Sequence, residues 1–431
     1  MAGLSLAQTP ASTSAQPVPA PQQAQAASAQ PASEPAYTLP PEKLAQAKTL
    51  NTIRLTLEIA GTLWGLAVLW ILLASRWAAG IERWTGRISR LRWVQGLLFF
   101  AIFIAITSVA GLPIEAIGHA ASLHYGISVQ QWPGWLGDQG TSLAIGLIVG
   151  APLMVFFNWI VRISPRRYWV WVWVISLPLI VASVMLTPLA IDPLFNKFEP
   201  LTKTHAALVA KLETVVARTG TNIPPERMFL MKASEKVNGP DAYVTGLGAT
   251  KRFVMWDTTT DRMPDDEVLF IFGHESGHYV LNHIPKEMSI LAGLAFFAVW
   301  AAAGLAGWMI RRFGGRWEIE SLGGRAGFLT LVFAFSIASF FATPVVNTAS
   351  RHFEHEADVY GQEAIHGLVP DPRRTAASAF NHLGEGWLDD PDPNPIVEFW
   401  NYNHPSVQNR AKFARGYDPW ANGGRGRFFD K

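Results

Sequence analysis

The sequence predicts a mainly α-helical, polytopic membrane protein that carries a more polar α+β portion with a small sheet. Three observations predict it. Of the 431 residues, 49% are hydrophobic and only 16% charged, with 18 tryptophans; that is the balance of a membrane protein with a soluble part. Six long apolar runs contain no charged residue. Two further segments, 192–287 and 351–431, are polar and mix helix signals with short strand signals.

Residues 1–36 are rich in Ala, Gln, Pro and Ser, have few apolar groups, and are expected to be a disordered tail. Their opening, Ala2 to Gln8, resembles the end of a secretory signal peptide, but no apolar stretch precedes it. Region 37–191 holds four apolar runs, Ile59–Ser75, Trp93–Ile114, Gly140–Val161 and Tyr168–Ile191. Region 288–350 holds two more, Met288–Ile310 and Ala326–Ser350, as a hairpin. At 1.5 Å per residue each is about long enough to cross a ~30 Å hydrocarbon layer. Trp70, Trp77, Trp93, Trp132, Trp135, Tyr168, Trp169 and Trp308 crowd their ends, as interfacial aromatics do. A soluble all-helical core is the alternative, and six such runs argue against it.

Within 192–287, Thr204–Thr219 reads as an amphipathic helix. Met228–Met231, Ala242–Leu247 and Phe253–Trp256 read as short strands separated by Gly, Pro and Lys. Because the hairpin 288–350 leaves and returns on one face, the polar segments must lie on the same side of the membrane. The loops on the other side carry Arg76, Arg83, Arg87, Arg90 and Arg92, then Arg162, Arg166 and Arg167, then Arg311, Arg312, Arg316 and Arg325. Loop Glu115–Asp138, on the side of the polar segments, has no Lys or Arg. The positive-inside rule therefore predicts polar segments on the non-cytoplasmic side.

A net charge of +2 gives no reason to expect a nucleic-acid partner, and the absence of cysteine removes disulfides and thiolate metal ligands. Any zinc must then be held by His, Asp or Glu, the ligand set of catalytic rather than structural sites. His274-Glu275-Ser276-Gly277-His278 supplies such a set. Histidines four apart on a helix point the same way and bind one Zn²⁺ together, and Glu275 sits where a general base toward water at the metal belongs. Pro264 followed by Asp265, Asp266 and Glu267 marks the helix start, and Gly277 lets another backbone approach closely. A buried helix whose histidines are merely hydrogen-bonded is the plain alternative.

The third ligand should be a carboxylate or histidine on another helix. In Ser350–Asp358, Glu354 and Asp358 share a face, with Glu354 on the metal and Asp358 bracing a ligand histidine in its correct tautomer. Glu356 is the rival ligand, and a solvated charged helix is the alternative. His404 and Arg410 form a polar cluster able to stabilise an oxyanion, or simply a surface loop. His283, five residues after His278, is expected to face away and be structural. Asp241, Ala242 and Tyr243 lead from a turn into a strand; an exposed edge there would take substrate as an added strand, whereas an ordinary hairpin strand would not.

Together these residues resemble the type I CAAX prenyl proteases, integral-membrane zinc metalloendopeptidases. The resemblance runs over most of the chain after about residue 90. It rests on Pro193–Leu201, on Ala242-Tyr243 with Gly246, on His274, Glu275 and His278, on Phe353-Glu354 with Ala357-Asp358, and on His404-Pro405 with Arg410. It implies a helical membrane barrel enclosing a chamber, a gluzincin-type catalytic domain split between 192–287 and 351–431, and Glu354 as third ligand. It also implies that His404 and Arg410 assist the transition state or hold Glu354. The expected partners are peptide or protein substrates, lipidated or not, and the lipid bilayer.

Three departures stand out. Asp241 replaces an Asn common in the family. A polar tail stands where eukaryotic members have an extra span. The arginine-rich loops put the site opposite the cytosolic side of the eukaryotic enzymes, which favours an envelope role in a bacterial inner membrane; the family analogy favours the cytoplasmic side. The rival readings are a non-catalytic zinc-containing membrane scaffold and a transporter with an intramembrane metal. Filled catalytic positions argue against the first and charge-free spans against the second.

Overall fold

A computed structural model of the chain describes residues 35–421 and 423–430. The expected tail lies outside the described residues up to position 34. Ala36, Tyr37 and Leu39 are already buried, packed into the core of the polar portion.

Among the described residues, six helices are long and apolar enough to cross a membrane: α1 (Pro41–Ala74), α3 (Arg92–His124), α4 (Trp132–Ile163), α5 (Tyr168–Phe195), α8 (His283–Trp317) and α9 (Arg325–Ala364). All six extend past the apolar runs that mark them, continuing the hydrogen-bond ladder into the polar layers. One element of the first arginine-rich loop was not expected. Trp77–Ile88 is an amphipathic helix, α2. Trp77, Trp84 and Ile88 are exposed and Ala78, Ala79 and Thr85 are buried, the pattern of a helix lying at a bilayer surface. Membrane helices α1, α3, α4, α8 and α9 share a core around Leu73, Phe99, Met154 and Leu329, and α5 packs on a neighbouring one through Tyr168.

The polar portion is built from α6 (Ala206–Thr219), a four-stranded sheet, α7 (Asp265–Val280), α10 (Pro372–Trp387), α11 (Pro395–Asn401) and α12 (Val407–Gly416). Its core joins Leu212, Phe253, Phe270, Phe272 and Phe380. The sheet comprises β1 (Phe198–Pro200), β2 (Met228–Met231), β3 (Ala242–Thr245) and β4 (Arg252–Trp256), in the order β1-β2-β4-β3. The pair β2–β4 is parallel; β1–β2 and β3–β4 are antiparallel, with Ala242 opposite Met255 and Tyr243 opposite Val254. β1 falls within the Pro193–Leu201 segment and is too short to show a period in the sequence. β3 is an edge strand, and α7 packs on it.

Glycines bring α7 against α9. A Cβ at Gly361 would fall 2.7 Å from the His274 backbone nitrogen, and one at Gly277 would fall 3.0 Å from the Tyr360 Cβ. With hydrogen instead of a side chain, the two helices approach closely enough for His274 and Glu354 to meet.

Candidate active site

Helix α7 begins at the extended Pro264 with three acidic residues in its first turn, which complement the helix dipole. Its segment Val268–Phe272 is buried on all sides, so the following turns are rigidly placed. His274 and His278 then face one point. Their Nε2 atoms lie 3.2 Å apart. From α9, Glu354 brings Oε2 to 3.3 Å from His274 Nε2 and Oε1 to 3.4 Å from His278 Nε2.

This spacing tests whether a metal fits. Around a tetrahedral Zn²⁺ with bonds of about 2.0–2.1 Å, neighbouring donor atoms are roughly 3.3–3.4 Å apart. The observed separations, 3.2, 3.3 and 3.4 Å, are of that size, with each histidine meeting a different oxygen of the Glu354 carboxylate. Two imidazole lone pairs and a carboxylate aimed at one another in a buried place also repel unless positive charge lies between them. His274 is only 7% and Glu354 only 6% exposed. Burial lowers the proton affinity of His274, but the Asp358 and Glu354 carboxylates against its ring outweigh this and push it up to about 10. The site draws a cation to this point.

The outer atoms of the rings are also occupied. His274 Nδ1 lies 2.9 Å from Asp358 Oδ1. Asp358 in turn accepts from Arg410, Nε at 3.0 Å and Nη2 at 2.6 Å, and Nη2 also reaches Glu354 Oε2 at 3.4 Å. His404, half-exposed, sets its Nε2 3.2 Å from Glu354 Oε1. Thus His404 and Arg410 both converge on the Glu354 carboxylate.

The reading of His283 is corrected. It does not face away: its Nδ1 lies 3.2 Å from His278 Nδ1, and the ring is fully buried, stacked on Phe353. Helix α7 ends at Val280, with Leu281 as its cap, and Asn282 takes a left-handed conformation (φ 58°) before α8 starts. That break resets the helical phase, so five-residue spacing no longer implies opposite faces. The Leu281-Asn282 pair was the available signal, since Asn is the residue that most often joins Gly at such a cap. Glu356, the rival ligand, points to the far side of this ring. Its Oε2 lies 3.4 Å from His283 Nε2, and it pairs with Arg427.

Glu275 turns toward the sheet edge, where its Oε2 accepts the Val244 N–H at 3.0 Å. The neighbouring Ala242 N–H is taken by Asp241 Oδ1 at 2.8 Å. Since both N–H groups point away from β4, the free edge of β3 faces the histidines. Asp241 is pushed up to about 7, first by burial and then by the charge of Glu275. Tyr243 belongs to the same strand but pairs with Val254. A cavity of about 400 Å³, lined by Ala242, Val244, Glu275, His278, Glu354 and His404, opens over these groups. Asp241, Phe380 and His404 also line a second cavity of about 530 Å³.

Comparison with known proteins agrees with this geometry. The pattern of Peptidase family M48 matches residues 202–418. The pattern described as CAAX prenyl protease N-terminal, five membrane helices, matches residues 22–197. An uncharacterized metalloprotease of Bacillus subtilis, YhfN, is 32% identical over 383 residues, covering 88% of this chain and 87% of its own. CAAX prenyl protease 1 of Saccharomyces cerevisiae is 24% identical, covering 73% of this chain and 71% of its own. The crystal structure of S. mikatae Ste24p superposes with a TM-score of 0.73 at 20% identity, covering 87% of this chain and 89% of that one. The protein is an integral-membrane, zinc-dependent metalloendopeptidase, and the chain belongs to peptidase family M48, among the type I CAAX prenyl proteases.

Proposed function

We propose that His274, His278 and Glu354 hold the catalytic Zn²⁺ and that Glu275 is the general base of peptide hydrolysis. The observation that carries this is the convergence of two imidazole nitrogens and the Glu354 carboxylate on one point beside Glu275, under a cavity bounded by a free strand edge. When bound, Zn²⁺ supplies Lewis acidity to the scissile carbonyl and to a water molecule next to it. Glu275 takes a proton from that water on attack and returns it to the leaving amine. His404 donates to the oxygen that becomes negative as the carbonyl turns tetrahedral. Arg410 keeps Glu354 and Asp358 in place and offsets their charge.

The substrate chain adds to β3 as an extended strand, bonding to main-chain groups of Ala242 and Val244. Its arrival frees Glu275 from the Val244 N–H, so binding and activation of the base are coupled. Added antiparallel, its C-terminal side runs past Asp241 into the 530 Å³ cavity. The substrates are membrane-associated proteins, and by likeness to the CAAX prenyl protease 1 relatives they include CAAX-type C-termini, with or without a prenyl group. The arginine-rich loops favour a bacterial inner membrane with the site on the non-cytoplasmic face; the relatives' substrate class favours the cytoplasmic face.

The test is cleavage of quenched fluorescent peptides by purified full-length protein, with and without a chelator. Glu275→Gln should keep zinc and fold but lose at least about 10³-fold in turnover. Wild-type turnover in that variant would remove Glu275 from the role of base. Failure of the chelator to stop the wild-type protein would exclude the metal from the reaction.

A further inference from the structure

Three guanidinium groups converge on a cavity at the end of the membrane helices farthest from the metal site. The cavity measures about 360 Å³ and is lined by Glu82 of α2, Arg92 and Gln95 of α3, Asn158 and Arg162 of α4, and Arg325 of α9. It lies on the far face because α3 and α4 are joined, at their other ends, by residues 125–131, which pair with the polar portion at Val237.

Its one carboxylate is already committed. Glu82 accepts the backbone N–H of Arg325 and of Ala326, each at 3.0 Å, and so caps the start of α9. Arg325 gives Nη1 to Gln95 Oε1 at 2.6 Å and lies 3.6 Å from Glu82. Arg92 and Arg162 have no carboxylate partner among the described residues, and the Arg162 stem passes the backbone at Gly323, where an added Cβ would fall 3.2 Å from its Cγ. Asn158, only 5% exposed, presents an Oδ1 with no hydrogen-bond partner among the described residues. Exposed Trp84, Trp93 and Trp159 sit on the same helix ends, at the depth where indoles mark the headgroup layer.

Surplus positive charge, a buried acceptor lacking a donor, and a position at the bilayer boundary specify one ligand chemistry. We propose that this cavity binds the headgroup of an anionic glycerophospholipid that bears hydroxyl groups, such as phosphatidylglycerol. The phosphate diester lies between Arg92 and Arg162, whose planar forks match its oxygens. A headgroup hydroxyl donates to Asn158, and the acyl chains run down the outside of α3 and α4.

The experiment is native mass spectrometry of the full-length protein in detergent, titrated separately with phosphatidylglycerol, phosphatidylcholine and inorganic phosphate. The wild-type protein should bind phosphatidylglycerol in preference to the zwitterionic lipid and show no comparable affinity for free phosphate. The double variant Arg92→Gln/Arg162→Gln should lose roughly 25-fold in phosphatidylglycerol affinity while cleaving peptide at the wild-type rate in detergent. Arg166→Gln/Arg167→Gln, exposed on the same face but outside the cavity, should lose little. Equal binding of the two lipids by the wild-type protein overturns the proposal. So does tight binding of free phosphate, which makes it a soluble-anion site, or an equal loss in both double variants, which makes the attraction a property of the whole face.

Discussion

The two histidines of the motif are held from behind by chains of unlike length and charge. His274 rests directly on a carboxylate, Asp358, which is locked by Arg410, and that ion pair is almost wholly buried. His278 rests on another imidazole, His283, and only beyond it comes a carboxylate, Glu356, paired with a half-exposed Arg427. Burial makes the first chain electrostatic. A carboxylate in low dielectric at Nδ1 raises the electron density of the ring and favours cation binding at Nε2. Solvent screening makes the second chain weak as a source of charge. What it offers is direction: with Nδ1–H of His278 donated to His283, and Nε2–H of His283 facing Glu356, the lone pair of His278 Nε2 is left bare toward the metal. One ring is tuned and the other is oriented, although their places in the motif are equivalent.

Both braces act through a metal held between the rings, so removing the group the rings share has the largest effect. Glu354→Ala deletes a ligand and leaves Arg410 and His404 facing an emptied buried space. Zinc content of the purified protein, measured by mass spectrometry of the metal, should fall from near one equivalent to a small fraction. Full occupancy would transfer the ligand role to another group, and both braces would lose their purpose.

Asp358→Asn comes next. It keeps the shape but removes the buried charge, and leaves Arg410 with Glu354 as its remaining carboxylate. Zinc affinity should fall about 100-fold by chelator competition, the upper end for an outer partner of a metal ligand. Breaking a buried pair also costs about 3–5 kcal/mol of stability, visible as a lower melting temperature. If affinity stayed within about 3-fold of wild type, the Asp358 charge would not tune His274.

His283→Phe should have a smaller effect, about 10-fold in zinc affinity, because it removes a neutral acceptor while keeping the volume and the stack on Phe353. His283→Asn places an amide oxygen near the old Nδ1 and should recover most of the loss. Equal losses in the two variants, with melting temperatures unchanged, would mean that His283 only fills space.

How far the sequence revealed this site follows the same division. His274, Glu275, His278, Glu354 and Asp358 were legible because each pair sits within one helix, where spacing fixes direction. His404 and Arg410 were legible as a cluster and by resemblance; their convergence on Glu354 depends on α12 packing against α9 and α10, which no local pattern encodes. His283 was misread because a one-residue cap turns the chain between two helices. The six spans were legible from apolar length, but α2 was not, since its arginines looked like loop charge until its apolar face was seen. β1, at three residues, is too short for any period.

Asp241 carries the smallest predicted effect and bears on the strand rather than the metal. Its carboxyl is raised from 3.8 to about 7, so below neutrality it is protonated and offers an O–H as a donor, as an amide at this position would offer an N–H. As pH rises through about 7 the proton leaves, and a second negative charge appears beside Glu275 and against the carbonyls of an incoming peptide. Binding should therefore weaken on the alkaline side: KM should rise severalfold between pH 6 and pH 8 on the ordinary ionisation curve, with kcat changing less. Asp241→Asn has no proton to lose and should hold KM flat over that range, close to the wild-type value at pH 6. A slope of the same size in Asp241→Asn would assign the ionisation to another group of the site, and the Asp241 carboxyl would then have no role in how the strand receives its substrate.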